Sequence, residues 1–200
     1  MKNLGILLSG RGSNFMAIAD NVQRGLIPAQ ISAVISNRPE APGLEHARKL
    51  GLNAISIPSK GKAREQHDAE VIAALKEAQV DLVCLAGYMR LLSPEFIRAF
   101  PQRILNIHPS LLPSFPGLEA QKQAFDYGVK VTGCTVHFVD EFLDHGAIIV
   151  QKTVPVLPDD DDHTLAARIL DQEHLAYTEA INLVLSGKVE LIGRRVVAEP

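Results

Sequence analysis

What most constrains this chain is an alternation. Short apolar runs take turns with longer segments whose apolar residues recur at helical spacing. "LGILLS" (4–9), "ISAVIS" (31–36), "NAISIP" (53–58), "DLVCLAG" (81–87) and "RILNIH" (103–108) read as strands. Between them lie a helix opened by Ser13 and closed near Gly25, then "GLEHARKLG", then "REQHDAEVIAALKEAQ" (64–79) with Val71, Leu75 and Ala78 on one face. A short "SPEFIRAF" helix follows, with Pro94 at its first position. Strands that are apolar on both faces must be covered on both, and helices between them supply the cover. The chain is therefore expected to be α/β, built of βαβ units around a mostly parallel sheet.

Past residue 130 the pattern changes. "VTGCTVHFV" (131–139) and "GAIIVQKTVPV" (146–156), joined by "DEFLDH", predict an antiparallel pair at one edge. A helix from about Thr164 to Leu185 and a strand in "KVELI" close the chain. No repeat, low-complexity tract or linker interrupts the pattern, which predicts one domain over residues 1–200. A chain of this size buries roughly 70% of the surface its unfolded form exposes, so it needs no covalent staples.

Composition narrows the partners. With 20 Lys and Arg against 23 Asp and Glu, the formal net charge is −3, and no basic block offers a footprint for nucleic acid or a membrane surface. The two cysteines, Cys84 and Cys134, sit in apolar runs and read as buried, reduced thiols. The first apolar stretch is too short for a signal peptide, and nothing approaches the ~20 apolar residues of a membrane span. A cytoplasmic protein is the expectation. Histidines 46, 67, 145, 163 and 174 share no metal-ligand spacing, and "DDDDH" (159–163) reads as a solvated loop ahead of a helix. No metal is expected.

"SGRGSN" (9–14) follows the first strand and opens the first helix, where parallel sheets bind ligands. A helix start there offers backbone N–H groups to an anion. Gly10 and Gly12 allow close approach, and Ser13 and Asn14 can donate. A dinucleotide site wants a third glycine where Phe15 stands and an acid at the end of the second strand, where "SNR" (36–38) stands. A small phosphate monoester suits the turn better, although a tight turn with a capping serine accounts for the same residues.

Asn106 and His108 are two apart on the fifth strand and so share a face at its carboxyl end. A neutral amide donor beside a titratable imidazole suits a developing oxyanion, because neither must reorganise when charge appears. Asp144, in the turn "DEFLDHG", is the candidate to orient His108 and keep it charged. His137 reads as a packed neighbour rather than a catalyst.

These segments carry a resemblance. "ILLSGRGSN", "AGYMRLLSPEF", "ILNIHPSLLPSFPG", "GCTVHFVDE", "LDHG" and "QEH" run in order over nearly the whole chain, which resembles the phosphoribosylglycinamide formyltransferases. "NIHPSLLP" is specific to folate formyl-transfer domains, and "SGRGSN" points to the phosphoribosylglycinamide branch. The resemblance implies a Rossmann-like formyltransferase fold, an open, twisted, mostly parallel sheet of about seven strands with helices on both faces, and a small-molecule reaction. The formyl group of 10-formyltetrahydrofolate, a co-substrate, passes directly to the amine of glycinamide ribonucleotide in purine synthesis. It implies Asn106, His108 and Asp144 as the catalytic trio, with Gly12, Ser13, Asn14 and Glu173 on the nucleotide. The folate would meet Arg64, Met89, Arg90, Leu91, Leu92, Asn106, Asp140, Glu141, Phe142, Leu143 and Asp144. It also implies a cis Leu112–Pro113 peptide. Glu119, His145 and Ala147 depart from the family's pattern, and the trio does not.

A methionyl-tRNA formyltransferase would need a further C-terminal domain and a basic surface, and a formyl-folate hydrolase an extra domain ahead of the sheet. A non-catalytic nucleotide-binding module is a third rival. The sequence is compatible with a monomer or a homodimer.

Overall fold

The computed structural model describes residues 1–198, so residues 199 and 200 of the expected 1–200 domain lie outside the described residues. The chain divides into two compact units, Met1–Leu105 and a second that begins at Asn106. In order, the elements are β1 (Lys2–Leu8), α1 (Ser13–Gln23), β2 (Ala29–Ser36), α2 (Pro42–Lys49), β3 (Ala54–Ser56), α3 (Arg64–Glu77), β4 (Leu82–Leu85), α4 (Pro94–Ala99), β5 (Ile104–His108), α5 (Ala120–Tyr127), β6 (Val131–Phe138), β7 (Ile148–Pro155), α6 (Asp162–Leu185), β8 (Val189–Ile192) and β9 (Arg195–Ala198). β5 starts in the first unit and ends in the second.

In the first unit the strands stand in the order β3-β2-β1-β4, and the three pairings are parallel. All four residues of β4 and the last five of β1 are buried, as continuous apolar strands require when both faces are covered. α3 packs so closely on β1 that a Cβ at Gly5 would press into Leu75 and Val80. Its buried face is His67, Asp68, Val71 and Leu75. Ala78, expected on that face, instead caps the helix, because α3 ends at Glu77.

In the second unit β6 pairs antiparallel with β7, and the order continues to β9 and β8. The antiparallel pair is as expected, but it is not an edge. β9 joins β7 through Ile148 and Arg195, and the hairpin β8–β9 extends the sheet beyond it. α6 buries Leu165, Ile169, Glu173, Ala176, Tyr177, Ala180 and Ile181. The "DDDDH" run is less solvated than its composition suggests. Asp161 caps α6 by accepting from Thr164 N, and the Asp160 side chain, 3% exposed, forms an ion pair with Arg168 at 2.7 Å.

The fold is α/β with a parallel part followed by an antiparallel part, as the sequence predicts. Nine strands are described rather than about seven. The strand with no counterpart in the sequence reading is the short β9, which folds back on β8 as a hairpin. α5 is also unforeseen, since Glu119 stands at its start with no side-chain cap to announce it.

Candidate active site

The second unit gathers four polar side chains beside the end of β5. Alternation along the strand puts Asn106 and His108 on one face. Asp144 comes from the turn between β6 and β7, where a Cβ on Gly146 would collide with the Phe138 carbonyl oxygen. Only glycine lets the two strands close there, and that closure brings the turn back toward β5. Asp144 sits at φ 49°, a left-handed conformation that aspartate tolerates better than most residues. Its side chain is 8% exposed, with Oδ2 3.4 Å from His108 Nδ1 and accepting from Gly117 N at 2.8 Å.

The hydrogen bonds fix who donates to whom. His137 Nδ1 lies 2.7 Å from the Phe138 carbonyl, which can only accept, so Nδ1 carries the proton. Nε2 then presents a lone pair and accepts from Asn106 Nδ2 at 3.2 Å. The Asn106 amide is thereby oriented, with a second N–H left to donate. His137 Nε2 also lies 3.9 Å from Asp144 Oδ1. Burial pushes the His137 pKa below its usual value, a shift that the nearby Phe138 carbonyl and Asp144 charge only partly offset. A bulge in the β6–β7 register falls between Val136 and His137, a device that re-aims a side chain. His137 is thus more than a packed neighbour, since it sets the Asn106 amide.

His108 is engaged at both nitrogens. Nε2 donates to the Phe115 carbonyl at 2.9 Å, and Nδ1 faces Asp144. Ser110 Oγ donates to the Ser114 carbonyl at 2.6 Å and approaches Phe115 O at 3.2 Å, which shapes the loop around that acceptor. The Leu112–Pro113 peptide is cis. In the same unit Glu173 is buried on α6. Burial, together with the Glu173 charge, pushes the Cys134 thiol up to about 12, so Cys134 stays a neutral thiol near pH 7.

The remaining expected residues of this unit, residues 140–144, form the β6–β7 turn. Asp140 Oδ1 accepts from Phe142 N at 2.9 Å, which closes the turn, while Glu141, Phe142 and Leu143 are exposed. His145 Nδ1 lies 3.0 Å from Asp140 Oδ2. Arg194, from the β8–β9 turn, donates to the His145 ring and to its carbonyl oxygen. The departure at position 145 is therefore built into a contact with the last hairpin.

The first unit holds the other expected residues. The turn at residues 9–14 follows β1 and opens α1, but the N-cap is Gly12 rather than Ser13. Gly12 has φ 77° and no side-chain cap, so the helix start is left to its backbone N–H groups. A Cβ at Gly12 would sit 3.2 Å from Gly43 Cα, so α2 packs directly behind the turn. Ser13 is exposed, and the Asn14 side chain is buried. Arg64 is the first residue of α3, paired with Glu65 at 3.1 Å. In the loop after β4, Met89 and Leu91 are exposed, while Leu92 is buried. Ser93 N donates to the buried Asp68 carboxylate at 2.6 Å and ties down the end of that loop.

A family model described as formyl transferase matches residues 2–181. The chain belongs to the formyl transferase family. Among relatives, this formyl transferase is 41% identical to the phosphoribosylglycinamide formyltransferase of Escherichia coli K12, over 94% of the chain and 90% of that protein. It is 49% identical to the trifunctional purine biosynthetic protein adenosine-3 of Drosophila melanogaster, over 93% of the chain but only 14% of that protein's length. Among solved structures, glycinamide ribonucleotide transformylase 1 from Symbiobacterium toebii superposes with a TM-score of 0.97 at 50% identity, covering 100% of this chain and 95% of that one. No group of three or more His, Cys, Asp or Glu that could hold a metal ion occurs among the described residues, and no helix among them is long and apolar enough to cross a membrane.

Several contributors escaped the sequence. Gly117 N, the Phe115 carbonyl and Gly43 act through backbone or bulk, which residue type does not announce. His137 did carry a signal, an inward position on a strand, but its link to Asn106 depends on register.

Proposed function

We propose that this formyl transferase moves the formyl group of 10-formyltetrahydrofolate to the amine of glycinamide ribonucleotide, giving formylglycinamide ribonucleotide and tetrahydrofolate in purine synthesis. It would do so as one cytoplasmic formyltransferase domain. The observation that carries the reading is the oriented set at the end of β5: Asn106 held by neutral His137, and His108 held between Asp144 and the Phe115 carbonyl. The names and identities of the relatives support the choice of acceptor.

The amine attacks the formyl carbon, whose oxygen becomes an oxyanion. The second Asn106 N–H donates to that oxygen. His108, in its doubly protonated form, donates beside it once Nε2–H exchanges the Phe115 carbonyl for the developing charge. Asp144 orients the imidazole and passes the proton from the attacking amine toward N10 of the folate, and collapse of the oxyanion then breaks the bond from the formyl carbon to N10 and releases tetrahydrofolate. Binding both substrates supplies the proximity that a two-substrate reaction lacks in water. Gly12, Ser13, Asn14 and Glu173 are proposed for the nucleotide, the first three at its phosphate. Arg64, Met89, Arg90, Leu91 and Leu92, with residues 140–144, are proposed for the folate.

Folate absorbance after addition of 10-formyltetrahydrofolate, with and without glycinamide ribonucleotide, tests the reading. Turnover only with the nucleotide is expected. Equal turnover without it would make the chain a hydrolase, and none at all a binding module or a formyltransferase for another acceptor.

A further inference from the structure

In the first unit one run of side-chain hydrogen bonds crosses the carboxyl ends of four strands. Met89 N, after β4, donates to Ser9 Oγ, after β1, at 2.9 Å. Ser9 Oγ donates to Asn37 Oδ1, after β2, at 2.6 Å. Asn37 Nδ2 donates to Ser59 Oγ, after β3, at 3.2 Å. The run follows the spatial order of the strands from β4 to β3. Ser9 and Asn37 are buried. Backbone bonds run alongside, from Ser9 N to Gly87 O at 3.0 Å and from Ser59 N to Asn37 O at 3.2 Å.

A hydroxyl has one proton to give. Ser9 gives its proton to Asn37, so its lone pairs are the ones that meet the Met89 N–H. Asn37 can play this part because an amide accepts at one atom and donates at the other, whereas the acid a dinucleotide site wants at this strand end would accept at both. Nothing in the reaction chemistry asks for an amide here.

We infer that Asn37 is a positioning residue that locks the 89–92 loop to the 9–14 turn by fixing the direction of the Ser9 hydroxyl. The identity of the two ligands concerned rests on the function proposed above, but the hydrogen-bond run does not. Without Asn37 the Ser9 proton loses its buried acceptor, and the hydroxyl no longer holds its lone pairs toward Met89. The loop then carries its ordering cost into the binding step, which raises KM for the folate more than it lowers kcat.

Four variants test this: Asn37→Ala, Ser9→Ala, the double variant, and Asn37→Asp, which keeps an acceptor for Ser9. Hydrogen exchange at the Met89 amide is read together with steady-state kinetics. In Asn37→Ala the Met89 amide is expected to exchange about tenfold faster, the scale of one lost hydrogen bond, while Ile6 and Leu7 in β1 keep their rates. KM for 10-formyltetrahydrofolate rises by about fivefold to tenfold on the same scale, with kcat within about threefold. The double variant is no worse than the worse single variant, since the two act as a unit. Asn37→Asp keeps the Met89 protection. Unchanged Met89 exchange in both single variants, additive losses, or a fall in kcat at constant KM would overturn the inference. A wild-type protein that fails to formylate the nucleotide would defeat the functional reading alone, and Met89 exchange would still decide the role of Asn37.

Discussion

The two units handle polar groups in opposite ways. In the first, the strand ends are joined by neutral partners, Ser9, Asn37, Ser59 and the Met89 amide. In the second, the end of β5 is lined by imidazole and carboxylate side chains, His108, His137 and Asp144. Neutral hydrogen bonds keep their strength across ordinary pH, which suits the ligand-holding role proposed for this surface. Proton transfer needs groups that titrate, and these must be buried and oriented to be useful. On the proposed function the proton-transferring groups fall in the second unit, whereas residues proposed to hold ligands occur in both.

The largest expected effect comes from removing the charge on the titratable side. Asp144→Asn keeps the shape but loses the negative charge beside His108 and turns one of the two acceptor oxygens into a donor, and turnover is expected to fall by about a thousandfold or more, as when an imidazole loses its orienting carboxylate. Thermal unfolding of the variant should stay close to wild type. Near-normal turnover would remove Asp144 from the chemistry and erase the contrast. Asn106→Ala comes next, with a loss on the order of 10²–10³ in kcat, the usual effect of one oxyanion donor. A loss below about tenfold would count against that role.

A change on the holding side should look different. Ser13→Ala is expected to raise KM for glycinamide ribonucleotide by about tenfold, the scale of one hydrogen bond to a charged group, and to leave the pH profile of kcat alone. A shifted profile would tie Ser13 to the proton-transfer chemistry rather than to holding the nucleotide.

The smallest effect is one of pH on stability. Burial holds the folded-state pKa of His137 below the ordinary histidine value of 6.5, so between the two the unfolded chain binds the proton and the folded chain does not. The resulting sign is that stability is full above about pH 6.5 and falls as the pH drops toward the folded value. His174, half-buried on α6, adds in the same direction. His137→Gln should flatten the fall in melting temperature between neutral and mildly acidic pH. An unchanged slope would place the pH sensitivity elsewhere.

Much of the candidate site was legible because it obeys local rules. Asn106 and His108 share a face as a consequence of strand pleat, and the turn at residues 9–14 announces itself by its glycines. Asp144 could be named because it follows a strand and precedes a glycine. Other features had no local mark. α5 lacks a capping side chain at Glu119, and β9 is only four residues long. Phe115 contributes a carbonyl, which every residue has.

The sequence by itself determined the alternation of strand and helix, the parallel character of the first unit, and the same-face pair on β5. These depend on periodicity and on neighbours a few residues apart. Tertiary structure alone decided that His137 would orient Asn106, that Arg194 would meet His145, and that Asn37 would stand between Ser9 and Ser59. Those meetings depend on strand order and register, which bring together atoms separated by tens of residues. A hydrogen bond forms only when a donor and an acceptor stand about 3 Å apart at the right angle, and no local pattern encodes that distance.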